Sequence, residues 1–364
     1  MIHTTAREGA SRDWDAVGLA YSDAGVKSGE SAEAGEMGRY FLRRILSAIP
    51  TLFVISLIIF SILALAPGDP LSDLALNPQV PPEVQQKIRA DLGLEDPIPV
   101  RYGKWLTSST LGQFGAFGYE PLTSFRTRAP VMDQVKERLP RTLWISGTAV
   151  LLGIAVAIPV GVLSAVKQYS IFDQVATTLT FFGFSIPTFF TGLLLILLFS
   201  IKLGWLPFIY RSTLEQDKWS FDWIVAMLKQ SIMPIAVLGL FQGATLTRYV
   251  RASMLENLHL DYVRTARSKG LVESKVIRRH VLRNALIPVV TIVALQIPGV
   301  ITGAVITEQI FRVPGLGRLL IDSIINNDTP VVMTLAFMFS IMVVIFNFVA
   351  DIIYGWLDPR IKYS

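Results

Sequence analysis

The sequence holds no cysteine, which excludes disulfides, iron–sulfur clusters and thiolate catalysis. Histidine occurs three times, as His3, His259 and His280, and never in the HExxH or HxH spacing that gathers ring nitrogens around a metal. A GxxxxGKS/T loop, whose glycines let backbone N–H groups cradle phosphates, is also missing, so the chain should not hydrolyse ATP itself. Gly183-Phe184-Ser185 has no following glycine and no histidine nearby, and no other nucleophile–base set stands out. These gaps argue against an enzyme. Charge is scarce too: charged residues make up 17% of the chain, where a soluble domain carries about 25%.

The deficit of charge comes from long uncharged runs. A helix needs about 20 apolar residues to cross the hydrocarbon core. Six runs meet or approach that length: Ile45–Ala66, Thr142–Val166, Gln174–Ile201, Gln230–Thr247, Ala285–Thr307 and Val331–Ala350. The fourth is the shortest and carries Gln242. An all-α membrane protein with six transmembrane helices is therefore expected. Prolines punctuate the runs at Pro50, Pro159, Pro187, Pro234, Pro288 and Pro298, and neighbouring helices must satisfy the carbonyls they free. Gly183, Gly192, Gly239, Gly243 and the Gly299/Gly303 GxxxG pair offer small packing surfaces. Kinked, glycine-rich spans suit a bundle that rocks between two states, or the ordinary packing of a static one.

Basic residues set the orientation. Arg264, Arg267, Lys269, Lys275, Arg278, Arg279 and Arg283 lie between spans four and five, opposed only by Glu256, Asp261 and Glu273. Arg39, Arg43 and Arg44 precede the first span, and Arg360 and Lys362 follow the last. Six spans put these three regions on one side, which the positive excess marks as cytoplasmic. The expected organisation is a disordered cytoplasmic tail (1–36), a first transmembrane helix (37–66), an extracytoplasmic segment (67–141), a five-helix core (142–356) with a cytoplasmic loop at 252–284, and a cytoplasmic C-terminal tail (357–364). The first 36 residues are polar, without a signal-peptide pattern, and Met37 opens a basic flank where translation could start. In the outer segment, Pro81-Pro82-Glu83 opens a helix with Val84, Ile88 and Leu92 on one face and Gly93 at its end. Val131, Val135 and Leu139 form a second amphipathic stretch leading into span two. Asp351 reads as an interfacial carboxylate, given Tyr354 and Pro359 beyond it.

The most informative stretch is 261–284, DYVRTARSKGLVESKVIRRHVLRN. Asp261 can cap a helix of about two turns and Gly270 can close it in the left-handed conformation. Val263, Ala266 and Gly270 then share one small face, rimmed by Arg264, Arg267 and Lys269, and Ser274 can cap the helix that follows. Such a helix can plug a partner's groove. It can equally be a basic loop that merely anchors topology.

The segment resembles the EAA loop of permease subunits of binding-protein-dependent ABC importers. Ala266 matches the second alanine, Gly270 the glycine, and His280, Leu282 and Arg283 fall at the end motif. Arg264, Thr265 and Arg283 replace the glutamate, first alanine and proline of the general pattern. The ending His280-Val281-Leu282-Arg283-Asn284 is similar to the H-x-L-x-N of the peptide branch. Other stretches are similar to B-type subunits of dipeptide and oligopeptide permeases: Arg43-Arg44 with Ile49-Pro50-Thr51, Ala66-Pro67-Gly68-Asp69-Pro70, and Leu92-Gly93-Leu94 with Pro97 and Tyr102. So are Ser185-Ile186-Pro187-Thr188-Phe189, Leu203-Gly204-Trp205-Leu206-Pro207, Val313-Pro314-Gly315-Leu316-Gly317 and Leu357-Asp358-Pro359-Arg360. The likeness spans 37–363; the stretch 112–128 fits poorly.

The resemblance implies a type I ABC importer permease in a bacterial or archaeal plasma membrane, both termini cytoplasmic, importing dipeptides or oligopeptides. Nickel, glutathione and other small solutes are alternatives, and an ion-coupled secondary transporter is a rival that would need charged residues mid-span. Implied partners are a second homologous permease, two ABC ATPase subunits, an extracytoplasmic solute-binding protein and membrane lipid, with no nucleic acid. No cofactor is expected on this chain, since ATP is used by the ATPase subunits. The ATPase-coupling residues implied are Asp261, Val263, Arg264, Ala266, Arg267, Gly270, His280, Leu282 and Asn284.

Overall fold

The structure, a computed structural model, describes residues 43–44, 46–65, 83, 86, 89–90, 95–110, 122–211, 217, 219–302 and 304–357. The expected tail (1–36), the outer-segment helix at Val84, Ile88 and Leu92, and the residues after 357 lie outside them. The chain divides into two units, residues 1–53 with 359–364 and residues 54–358. Of the first, little beyond the start of helix α1 (Leu46–Leu65) is described.

Among the described residues every regular element is helical. In the second unit, α2 (Ile98–Thr110) precedes α3 (Val131–Val166), which joins the amphipathic stretch at Val131 to span two without interruption. After a short turn come α4 (Ile171–Ser185) and α5 (Thr188–Leu195, continuing as a π-helical Ile196–Lys202). Then follow α6 (Phe221–Leu258) and α7 (Asp261–Ser268). Helix α8 begins as Glu273–Lys275, widens through a π-helical Val276–Val281 and runs on as Leu282–Thr302. Short α9 (Val305–Ile310) and α10 (Leu316–Ile325) lead to α11 (Thr329–Leu357).

Among the described residues five helices are long and apolar enough to cross a bilayer, and α4 with α5 makes a sixth span if the two are counted together. The expected third span is thus broken. Its halves meet at 99°, because Pro187 cannot donate to the helix and drives Ile186 into an extended conformation (φ −85°, ψ 125°). The fifth span also differs: α8 ends at Thr302, and Thr307 belongs to the separate α9.

The core is built on α3 and α6. Ala149, Gly153, Ala157 and Gly161 recur every fourth residue on α3, and all are buried. Against them α6 sets Gly239, Gly243, Thr247 and Val250, also buried. A Cβ added at Gly153 would lie 3.2 Å from the Gly243 nitrogen, one at Gly239 2.8 Å from a Leu152 methyl, and one at Gly161 2.7 Å from Val250. Backbone therefore meets backbone. Without a solvent-driven hydrophobic effect between helices in lipid, such dispersion contact is what holds a membrane pair together. Gly299 does not share this role, since a Cβ there would meet nothing within 4 Å.

Smaller clusters complete the bundle. Phe60 of α1 and Trp105 of α2 pack with Met333 and Phe337 of α11. Val131 and Val135 at the start of α3 pack with Leu316, Leu319, Val331 and Leu335. At this end Glu308 is 1% exposed. Its carboxylate accepts the Thr142 hydroxyl (2.8 Å) and the Arg318 N–H (2.9 Å), covering the first turn of α10. Gly315 permits this approach, because a Cβ there would collide with the carboxylate.

Candidate functional site

The segment singled out by sequence forms one substructure at the end of α6. Helix α6 stops at Leu258, and two residues later α7 begins. The Tyr262 hydroxyl donates to the Asn257 side chain (2.9 Å) and Asn257 donates back to the Ser253 carbonyl (2.9 Å). Ser253 also donates to the Ala285 carbonyl of α8 (2.8 Å). These bonds fix the direction in which α7 leaves α6.

Of the face expected to enter a partner, Val263 and Ala266 are covered by the chain itself, while Gly270 is exposed. Val263 is 0% exposed and Ala266 6%, within one cluster with Val250, Met254, Val276, Val281, Ala285 and Val289. Both residues seat α7 from beneath. Asp261, Arg264, Thr265, Arg267, Ser268, Lys269 and Gly270 form the exposed side. Leu260 and Val272, at its two ends, are exposed apolar residues, Val272 at 71%. Neither was marked by the sequence reading, although both break an otherwise polar loop.

Capping follows the expectation at one end only. Gly270 has φ +75° and its N–H donates to the Arg267 carbonyl (2.9 Å), so the left-handed stop is real. A Cβ there would meet nothing within 4 Å. At the other end the N-cap is Leu260; Asp261 is the first helical residue and faces Arg264 at 3.4 Å. Its negative charge still favours the helix N-terminus. Ser274 likewise lies inside the next helix, whose N-cap is Val272.

Arg267 reaches over the turn to Glu273, Nε to one oxygen at 3.1 Å and Nη2 to the other at 2.7 Å. Hydrogen bonding to that carboxylate pushes the guanidinium pKa up. The pair is exposed, so it sets the shape of the turn more than its stability. His280, Leu282 and Asn284 sit beyond it, across the junction from π-helix to α-helix, where Asn284 donates to the His280 carbonyl at 3.2 Å. Among the described residues no hydrogen bond joins them to α7. Leu282 packs against the same cluster as Val263. No group of three potential metal ligands occurs among the described residues.

The profile of the family described as "Binding-protein-dependent transport system inner membrane component" matches residues 157–363, and its N-terminal companion matches 37–146. The chain belongs to this family. It is an ABC importer permease, a multi-pass membrane protein with the all-helical type I permease fold. The permease is 41% identical to the oligopeptide transport system permease protein AppB of Bacillus subtilis over 327 residues, 90% of this chain and 100% of that one. It is 35% identical to the glutathione transport system permease protein GsiC of Escherichia coli K12 over 328 residues, again 90% and 100% of the two chains. A crystal structure of an amino acid ABC transporter with histidines aligns with TM-score 0.47 and 15% identity, over 62% of this chain and 94% of that one. The relatives' names are those of transport proteins, not of enzymes.

Proposed function

We propose that this permease carries peptides inward across a bacterial or archaeal plasma membrane, pairing with a second homologous permease, two ABC ATPase subunits and an extracytoplasmic binding protein. Both termini and the 252–284 loop face the cytoplasm, and 67–141 and 308–330 face outward. The exposed side of α7 is the ATPase-coupling surface, with Arg264, Thr265 and Gly270 at its centre. Leu260 and Val272 flank it as apolar contacts. Val263 and Ala266 contribute by seating the helix. ATP binds the closed ATPase pair more tightly than the open one, and that difference in affinity supplies the bias for reorientation.

The observation that carries this reading is the construction of α7. It is anchored to its own bundle by one face, while the other is polar, exposed and open above Gly270. A loop that only anchored topology would not need the buried face or the left-handed stop. The peptide assignment is supported by the likeness to AppB over most of the chain.

The test uses the reconstituted importer with Gly270→Val and Arg264→Ala. The first should insert and assemble but lose transport, since a β-branched residue at positive φ costs about 1–2 kcal/mol and blocks the partner's approach. The second should be milder, an exposed charge contributing about 0–1 kcal/mol. Normal uptake in Gly270→Val would sink the coupling surface. The likeness to GsiC favours glutathione as the second reading, and uptake of labelled oligopeptide against labelled glutathione with the cognate binding protein separates the two.

A further inference from the structure

Asp173, in the first turn of α4, has a side chain only 4% exposed. Arg251 of α6 donates to both its oxygens, Nε at 2.7 Å and Nη2 at 2.9 Å. The Ser164 hydroxyl at the end of α3, the Tyr169 N–H (2.9 Å) and the Thr177 hydroxyl (3.3 Å) donate to it as well. One carboxylate thus gathers donors from α3, the α3–α4 turn, α4 and α6. Tyr169 holds a left-handed φ of +63° while its N–H is bound there, a strained conformation that persists only where its surroundings enforce it.

Arg251 lies about two turns before α6 ends and α7 begins. Below it, Val250 and Met254 of α6 pack with Val263 and Ala266 of α7. Helix α7, the end of α6 and the start of α4 are therefore joined, α7 to α6 by packing and α6 to α4 by a bidentate ion pair. Helix α4 then runs to the break at Ile186–Pro187, beyond which Gly192 of α5 lies against Ile310 and Phe311. A bidentate guanidinium–carboxylate pair is directional, and the buried Asp173 carboxylate cannot be left alone cheaply, whereas Arg251 is half-buried. We infer that the Asp173–Arg251 pair is the tie through which displacement of α7 is passed to α4, so that α4 swings with α7 about the break before Pro187. Both are positioning residues. This rests on α7 being the coupling surface.

The test uses the complete importer in proteoliposomes. Spin labels on cysteines at Gln174→Cys of α4 and His259→Cys, exposed in the turn that enters α7 and outside the coupling surface, should keep one distance with and without ATP and vanadate. A distance that changes on ATP binding in the otherwise wild-type chain overturns the tie without any disruptive variant. Asp173→Asn should then let the two labels separate and lower uptake per assembled complex at least about tenfold, with ATP hydrolysis per complex within about twofold, as expected when a buried pair loses one partner. Arg251→Lys, which keeps the charge but not the fork, should uncouple in the same sense to a smaller degree. Proportional loss of uptake and hydrolysis, or unchanged uptake, in Asp173→Asn overturns the proposal in favour of a purely structural pair. A cysteine at Arg264→Cys reports the underlying reading separately: if it fails to cross-link to the ATPase subunit, α7 is not the coupling surface, whatever the Asp173 variants do.

Discussion

The Thr142 hydroxyl donates to Glu308 at 2.8 Å, and the same oxygen accepts the Leu316 N–H at 2.8 Å. One side chain on α3 thereby satisfies a buried carboxylate on α9 and the start of α10. Thr142→Val keeps the volume and removes both bonds. Each buried group left without a partner costs about 1–3 kcal/mol, so the purified permease should show a clearly lower thermal midpoint, while Thr142→Ser should stay close to wild type. Equal midpoints for Thr142→Val and wild type would show that the network contributes nothing.

Burial pushes the Glu308 carboxyl above its ordinary pKa of 4.5. An acid raised on folding holds its proton more tightly in the folded state. Its contribution is therefore full below the ordinary value and is lost as pH climbs through the raised one. The wild-type midpoint should accordingly rise relative to that of Glu308→Gln as pH is lowered toward 4.5. A constant difference between the two proteins would contradict this.

The seam between α3 and α6 separates two glycines of similar appearance in the sequence. Gly161→Ala places a methyl 2.7 Å from Val250 and 3.0 Å from the Thr247 carbonyl. Neither can swing aside, because one contact is with the Val250 Cβ, which no side-chain rotation moves, and the other is with a backbone carbonyl. A loss of about 1–3 kcal/mol is expected. Gly299→Ala meets open space and gains about 0.5–1 kcal/mol of helix preference. Thermal unfolding in detergent should order the variants as Gly299→Ala, wild type, Gly161→Ala; any other order would reject the seam.

Helix α7 offers a similar contrast between adjacent residues. Ala266→Leu overpacks the cluster beneath it and should unseat the helix, so that local unfolding speeds trypsin cleavage after the already exposed Arg267 and Lys269. Thr265→Leu, on the exposed side, should leave the cleavage rate unchanged. The same rate in both variants would mean that α7 is not seated on the bundle.

The spans were legible because hydrocarbon admits no unpaired charge, so an uncharged run of bilayer length is seldom anything but a span. The stop at Gly270 was legible for a local reason, the freedom of glycine at positive φ. The orientation of α7 was not. A stripe of small apolar residues such as Val263 and Ala266 looks the same whether its own chain or a partner covers it. Gly239 and Gly243 on the α6 side of the seam were legible as small packing residues, but the matching Ala149, Gly153, Ala157 and Gly161 on α3 were not marked, because attention to glycine alone misses a stripe that alternates it with alanine. Glu308 and Asp173 could not be ranked from sequence, since a buried carboxylate is identified by donors that lie far along the chain.

Helix α6 has 38 residues and is thus about 57 Å long, against a hydrocarbon core of about 30 Å. Nearly half of it must stand clear of the acyl chains. With α7 fixed to its tip, the proposed coupling makes α6 a lever whose fulcrum lies within the bilayer. About a fulcrum midway along the helix, a sideways push of about 3 Å at the tip corresponds to a tilt of only about 6°. Helices in lipid accommodate tilts of that size readily, so a large stroke at the tip requires little distortion of the packed seam against α3.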